Sequence, residues 1–166
     1  MRITFQFTPQ NLQEAYKLHF RKSSPLAGRG LQLFGFLSLW SGLLMILAVR
    51  NQANFLINYG LVLNGVVAIL IHYIQMRTLG KRLYKRYSAF HEPFQYEIQE
   101  EGLTLLVEDK TAVMPWESFE KAVLSDYIIL LYPNKRTFYY LTKAEFSSDD
   151  FATVKSWVKE KVKNVK

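Results

Sequence analysis

The chain contains no cysteine among its 166 residues. That excludes a disulfide framework, a thiolate metal site and a cysteine nucleophile, and it leaves the redox compartment open. Metal- and phosphate-binding patterns are missing as well. The histidines, His19, His72 and His91, are far apart, without the HxxxH or HExxH spacing that seats a metal. No GxxxxGK(S/T) or GxGxxG loop occurs, so no nucleotide cofactor is implied, and the GRG run at Gly28 to Gly30 reads as a flexible approach to the apolar block that follows. Glu100 and Glu101 are adjacent acids, but neighbours on an extended chain point apart, which suits a solvated turn better than acid–base work. The sequence therefore gives no catalytic, cofactor or metal site, and the expectation is that the protein is not an enzyme. Met1 to Phe20 is polar and amphipathic rather than a basic start followed by an apolar core, so no cleaved targeting segment is expected.

What the chain has in abundance is segregated hydrophobicity. Mean hydropathy is −0.03, an average that conceals two blocks free of formal charge. Leu31 to Val49 reads LQLFGFLSLWSGLLMILAV and Phe55 to Met76 reads FLINYGLVLNGVVAILIHYIQM. At about 1.5 Å per residue each covers roughly the 30 Å hydrocarbon thickness of a bilayer. Only RNQAN, Arg50 to Asn54, separates them, so the expected element is a tight antiparallel transmembrane hairpin. Basic residues flank its outer ends: Arg21, Lys22 and Arg29 before, and Arg77, Lys81, Arg82, Lys85 and Arg86 after. The loop carries only Arg50. The positive-inside rule then puts both termini in the cytoplasm of a multi-pass plasma (inner) membrane protein. Trp40 falls mid-span, whereas Tyr73, Tyr84 and Tyr87 fall where aromatic side chains meet headgroups.

The polar residues inside the blocks are Ser38, Ser41, Asn58, Asn64, His72 and Gln75. Intramembrane polar groups can mark a pathway, but Asn64 beside Gly60 and Gly65 fits close helix packing better. His72, near the basic end, reads as an interfacial anchor. Net charge is +7, from 21 basic against 14 acidic residues. Its concentration in Arg77, Lys81, Arg82, Lys85 and Arg86, on a basic juxtamembrane helix, points to anionic lipid at the membrane surface. No nucleic-acid motif accompanies it, and no nucleic-acid partner is expected.

After Pro93, which disfavours a helical residue before it, the pattern changes to short alternating runs. Phe94 to Gln99 and Leu103 to Glu108 flank Glu100–Gly102, a turn whose glycine tolerates positive φ. Thr111 to Trp116, Phe119 to Leu124, Tyr127 to Tyr132 and Thr137 to Leu141 follow, the last two joined by the Pro133–Arg136 turn. A final helix is capped by Ser147, has Asp149 and Asp150 in its first turn, and presents Phe151, Val154, Val158 and Val162 on one face. At the other end Ile3, Phe5 and Phe7 alternate as in a strand, and Thr8 and Pro9 open a helix displaying Leu12, Tyr16 and Phe20. Whether this first strand joins the distal sheet is open. With it, the fold class is an α+β membrane protein: a two-helix hairpin plus a small antiparallel β domain of about seven strands closed by a C-terminal helix. The divisions are 1–30 for the N-terminal strand and helix, 31–76 for the hairpin, 77–92 for the basic helix and 93–166 for the β domain.

The stretches YEIQEEGLTLL and MPWESFEKAVLSDYIILLY, with Gly102, Pro115, Trp116, Phe119 and Tyr127 at turn and strand positions, resemble the YcxB-like proteins. The resemblance implies two membrane spans and a C-terminal pleckstrin-homology-like domain. It implies no enzyme, and YYLTKAEF lacks a proline usual to that strand region. Trp116 reads as core packing, with part of a ligand groove as the alternative; Lys135 and Arg136 at a turn are candidates for lipid phosphates or a partner. The function class expected is a cytoplasm-facing interaction or regulatory module, with membrane lipids and a protein as partners and a homo-oligomer as a further one. Alternatives are an immunity protein against a membrane-active toxin and an oligomeric transport pathway built on Asn64 and His72.

Overall fold

The computed structural model describes residues 1–48, 55–107, 110–135 and 137–166. The expected loop at 50–54 and Arg136 lie outside the described residues. The elements run β1 (Arg2–Phe5), α1 (Pro9–Leu18), α2 (Pro25–Ala48), α3 (Phe55–Arg86), β2 (Phe94–Ile98), β3 (Gly102–Val107), β4 (Lys110–Pro115), β5 (Lys121–Leu124), β6 (Ile128–Tyr132), β7 (Tyr139–Thr142) and α4 (Ser148–Lys161). They form two compact units, one of Met1–Ser23 with Gly80–Lys166 and one of Ser24–Leu79. The N-terminal strand and helix are thus part of the β unit and not a separate region.

That α/β unit contains two antiparallel sheets, β1-β2-β3-β4 and β5-β6-β7. β1 does join the distal sheet, with Ile3 opposite Tyr96 and Phe5 opposite Phe94. Phe5 is wholly buried and meets Phe7, Phe94, Tyr96 and Tyr140 at ring separations of 5.2 to 5.8 Å. All five residues of β6 are buried, which is why IILLY reads as a continuous apolar run and not an alternation. Thr8 caps α1, its Oγ1 accepting from Asn11 N at 3.0 Å, and Pro9 occupies the first turn, where its missing N–H costs nothing. Leu12, Ala15 and Leu18 from α1 and Phe151, Val154 and Val158 from α4 enter the core. Ser147 caps α4 through Asp150 N at 3.1 Å. Beyond α4 the chain adds a parallel bridge to β5, Ala122 with Val165, an arrangement no local pattern announced.

Two expectations are corrected. Gly102 opens β3 opposite Pro115, and the reason for glycine is proximity, not positive φ: a Cβ there would lie 2.5 Å from Met114 O. The basic helix is no separate 77–92 element but the end of α3, which stops at Arg86, ahead of Pro93. Tyr87 is extended, a short 3-10 turn at Ser88–Phe90 follows, and the His91 ring reaches back to the Tyr84 carbonyl at 2.9 Å, satisfying a group the helix end leaves free.

The second unit is a pair of helices packed through small residues. Gly42 faces Asn58 and Val62, Ser38 faces Leu61, and Gly35 faces Gly65 and Ile69, an order that makes the pair antiparallel. A Cβ on Gly65 would lie 2.6 Å from Leu39 N and 2.7 Å from Gly35 O, so the backbones approach too closely for any side chain. Gly60 has no part in this packing: nothing would lie within 4 Å of a Cβ there. Five residues from Gly65, it points about 140° away on a helix of 3.6 residues per turn.

Candidate functional site

The expected site residues fall in distinct places. Lys81, Arg82, Lys85 and Arg86 are exposed on the last turns of α3, whose Gly80 instead faces α1 and donates its N–H to Gln13 Oε1 at 2.9 Å. Arg86 lies 5.7 Å from the Tyr87 ring. Arg77, also exposed, donates to the Tyr73 hydroxyl at 3.2 Å. All five cations of this segment are thus exposed at the surface.

Trp116 is buried completely. Its indole N–H donates to the Gln99 carbonyl at 3.2 Å, and its ring packs against Phe119. This is the packing arrangement, with no face of the ring open to a groove. Lys135 is exposed in the β6–β7 turn, where Asn134 Oδ1 accepts from Thr137 N at 2.9 Å. The Glu100–Glu101 turn is tied to α4 through the Lys161 ammonium, 2.8 Å from the Glu100 carbonyl.

Two features were beyond the reach of sequence pattern. The first is a groove of about 790 Å³ between α1 and the ends of β6 and β7, lined by Asn11, Glu14, Arg21, Tyr127, Ile128 and Lys143 among others. Tyr127 stands at its rim, 72% exposed. The Lys17 ammonium is held by Glu14 at 2.7 Å, and Lys155 lies 3.6 Å from Asp126, so among the described residues Arg21 and Lys143 contribute the groove's charge without a carboxylate partner of their own. The second is the setting of His19, which in the sequence shows only a lack of metal-site spacing. It opens a π-helical turn, His19–Ser23, in which its Nδ1 meets the Tyr132 hydroxyl at 2.9 Å and its ring stacks on Phe138 at 5.1 Å. Burial, and secondarily the Lys121 ammonium, hold its pKa below the usual 6.5. Lys121 in turn donates to Ser23 Oγ at 2.8 Å. The partners come from opposite ends of the chain, so no spacing rule could join them.

β3 to β7, the wholly buried Trp116 and Phe119, and the start of α4 form one continuous stretch of the α/β unit. Residues 98–158 match the family model described as YcxB-like protein. The chain carries a YcxB-like domain. No match was found among curated proteins or among solved structures. The matched stretch includes the whole three-stranded sheet, but the YcxB-like domain here is completed from outside it: β1, α1 and most of β2 precede residue 98 and supply Phe5, Leu12, Ala15, Leu18 and Tyr96 to the core.

Proposed function

We propose that the protein is a membrane-anchored interaction or regulatory module: α2 and α3 span the plasma membrane as a hairpin, and the YcxB-like unit faces the cytoplasm at the inner leaflet. One observation carries this reading. Both helices have an 18-residue window of high hydropathy of which only 17% is buried. A core helix of a soluble protein hides its apolar face, whereas these two turn apolar side chains outward along their length and bury chiefly small residues, with Asn58, against each other. Such a surface is stable in hydrocarbon and unfavourable in water. The exposed basic residues from Arg77 to Arg86 would then contact anionic lipid, and the positive-inside rule sets both termini in the cytoplasm. Four strands in one sheet and three in the other, followed by a terminal helix, support a pleckstrin-homology-like fold for the unit. A protein partner would meet the groove rimmed by Tyr127.

The absence of cysteine makes the test direct. In intact cells Asn51→Cys should react with a membrane-impermeant maleimide, and Tyr127→Cys only after permeabilisation. Equal reactivity of both would refute the hairpin. For the interaction, photocrosslinking from position 127 in native membranes should give one reproducible adduct that Tyr127→Asp abolishes; adducts indifferent to that change would remove the groove from the proposal.

A further inference from the structure

Within the hairpin the carboxamide of Asn64 is only partly satisfied among the described residues. Asn64 lies near the middle of the uncharged block 55–76, in the first third of α3, exposed, and its side chain's only hydrogen bond among the described residues is a long one, Nδ2 to Ser38 Oγ at 3.4 Å. No donor among the described residues reaches its carbonyl oxygen. In water that would be unremarkable, but the surface it sits on is otherwise apolar, and hydrocarbon offers no hydrogen bonds. A second observation concerns its neighbours. Ile57, Gly60, Asn64, Val67, Ile71 and Ile74 recur at alternating steps of three and four along α3, and all are exposed. That is the seam of a left-handed helix pair, with β-branched side chains on either side of a single asparagine and a glycine one turn away that lets a facing backbone approach. It lies on the side of α3 away from Asn58 and Gly65, which α2 occupies.

We propose that this seam pairs two copies of the chain in the membrane, side by side about a two-fold axis along the bilayer normal. The inference rests on the spanning reading above. Identical chains inserted in the same sense hold Asn64 at the same depth, and a parallel two-fold pair brings equivalent residues face to face. A carboxamide is both donor and acceptor, so two of them satisfy each other. Lipid tails supply neither role, and a second copy supplies both at the same depth. Gly60, which the hairpin's own packing leaves facing outward, and the Asn64 carbonyl oxygen, to which no described residue donates, thereby acquire a use.

The cysteine-free chain permits a clean crosslinking scan of the full-length protein in native membranes. Val67→Cys, Ile71→Cys and Ile74→Cys should give disulfide-linked dimers on mild oxidation, while Tyr59→Cys, Val66→Cys and Tyr73→Cys, on a different exposed face, should give few. Adding Asn64→Leu should weaken association roughly 3- to 30-fold, read as the protein-to-lipid ratio needed for half-maximal crosslinking. Asn64→Gln, which keeps the amide, should restore most of it. A chain retained in the membrane after alkaline carbonate yet uncrosslinked, crosslinked equally on both faces, or indifferent to Asn64→Leu overturns the pairing and leaves the anchor intact. Release by carbonate overturns both, because the seam would then face water.

Discussion

Gly102→Ala is a single added methyl at the point where β3 and β4 begin their pairing. The new Cβ would lie 2.5 Å from the Met114 carbonyl oxygen and 2.8 Å from Pro115 Cα. Ordinary contacts at such atoms are nearer 3.4 Å, and the obstacles are backbone, so β4 must move by most of an ångström. It is not free to do so. Trp116, next along the chain, is anchored by its backbone N–H to the Glu101 carbonyl at 3.2 Å and by its indole to the Gln99 carbonyl at 3.2 Å, both on the turn that precedes Gly102. Overpacking of this kind costs about 1–3 kcal/mol, and loosening the two hydrogen bonds adds about 1 kcal/mol. A loss of about 2–4 kcal/mol lowers the melting temperature of a unit this size by roughly 8–16 °C. The assay is a thermal melt of the full-length protein in mild detergent followed by tryptophan fluorescence, to which the buried Trp116 and half-buried Trp157 report on this unit. Gly30→Ala, where the methyl would meet nothing within 4 Å, is the control and should melt with the parent. If the two variants melt within about 2 °C of each other, the close approach is not what fixes glycine at this position.

Three further outcomes follow from packing and charge. Tyr140→Phe should raise the stability of the same unit by about 1 kcal/mol, because the Tyr140 hydroxyl is buried without a partner among the described residues while its ring contacts to Phe5 and Phe7 survive the change; a lower melting temperature would mean the hydroxyl is satisfied. Gly65→Ala should force α2 and α3 apart and cost about 1–3 kcal/mol of hairpin stability, seen as an earlier loss of helical circular dichroism on titration with sodium dodecyl sulfate, whereas Gly60→Ala should not shift that midpoint. His19 binds protons less readily in the fold than in the unfolded chain, so its contribution to stability is fully present above the unfolded value near 6.5 and declines as pH falls below it. The difference in melting temperature between the parent and His19→Phe should therefore move against the parent between pH 7.5 and pH 5; a difference constant across that range would refute the assignment.

What the sequence disclosed and what it withheld divide along the range of the forces involved. Caps at Thr8 and Ser147 and the strand alternation after Pro93 are local signals that reappear within a few residues in the structure, and the two uncharged blocks lie inside longer helices, α2 starting six residues before Leu31 and α3 running ten residues past Met76. The split of Gly60 from Gly65 was also available, since helical phase alone separates them; what concealed it was reading nearby small residues as one group. Pairing of β1 with β2 joins Ile3 to Tyr96 across the whole hairpin, and the contact of His19 with Tyr132 spans a similar distance. No window of sequence contains both partners. Trp116 shows the intermediate case: composition allowed a groove or a core position, and only the hydrogen bond to Gln99, made in the folded unit, decides for the core.

The pairing of β1 with β2 also bears on the membrane reading itself. The hairpin is an insertion within the α/β unit, between α1 and β2, so the strands on either side of it must end in the same compartment. An even number of crossings achieves that, and a single crossing would set β1 and β2 on opposite faces of the bilayer. Two spans are therefore the fewest compatible with this sheet if the apolar helices cross at all. The same constraint orders folding: Phe5, Leu12 and Leu18 are made first but bury themselves only against residues from Tyr96 onward, after both apolar helices have been synthesised. The amphipathic α1 must wait with its apolar face uncovered, and under the proposed membrane reading the bilayer surface would be where such a face is sheltered in the interval.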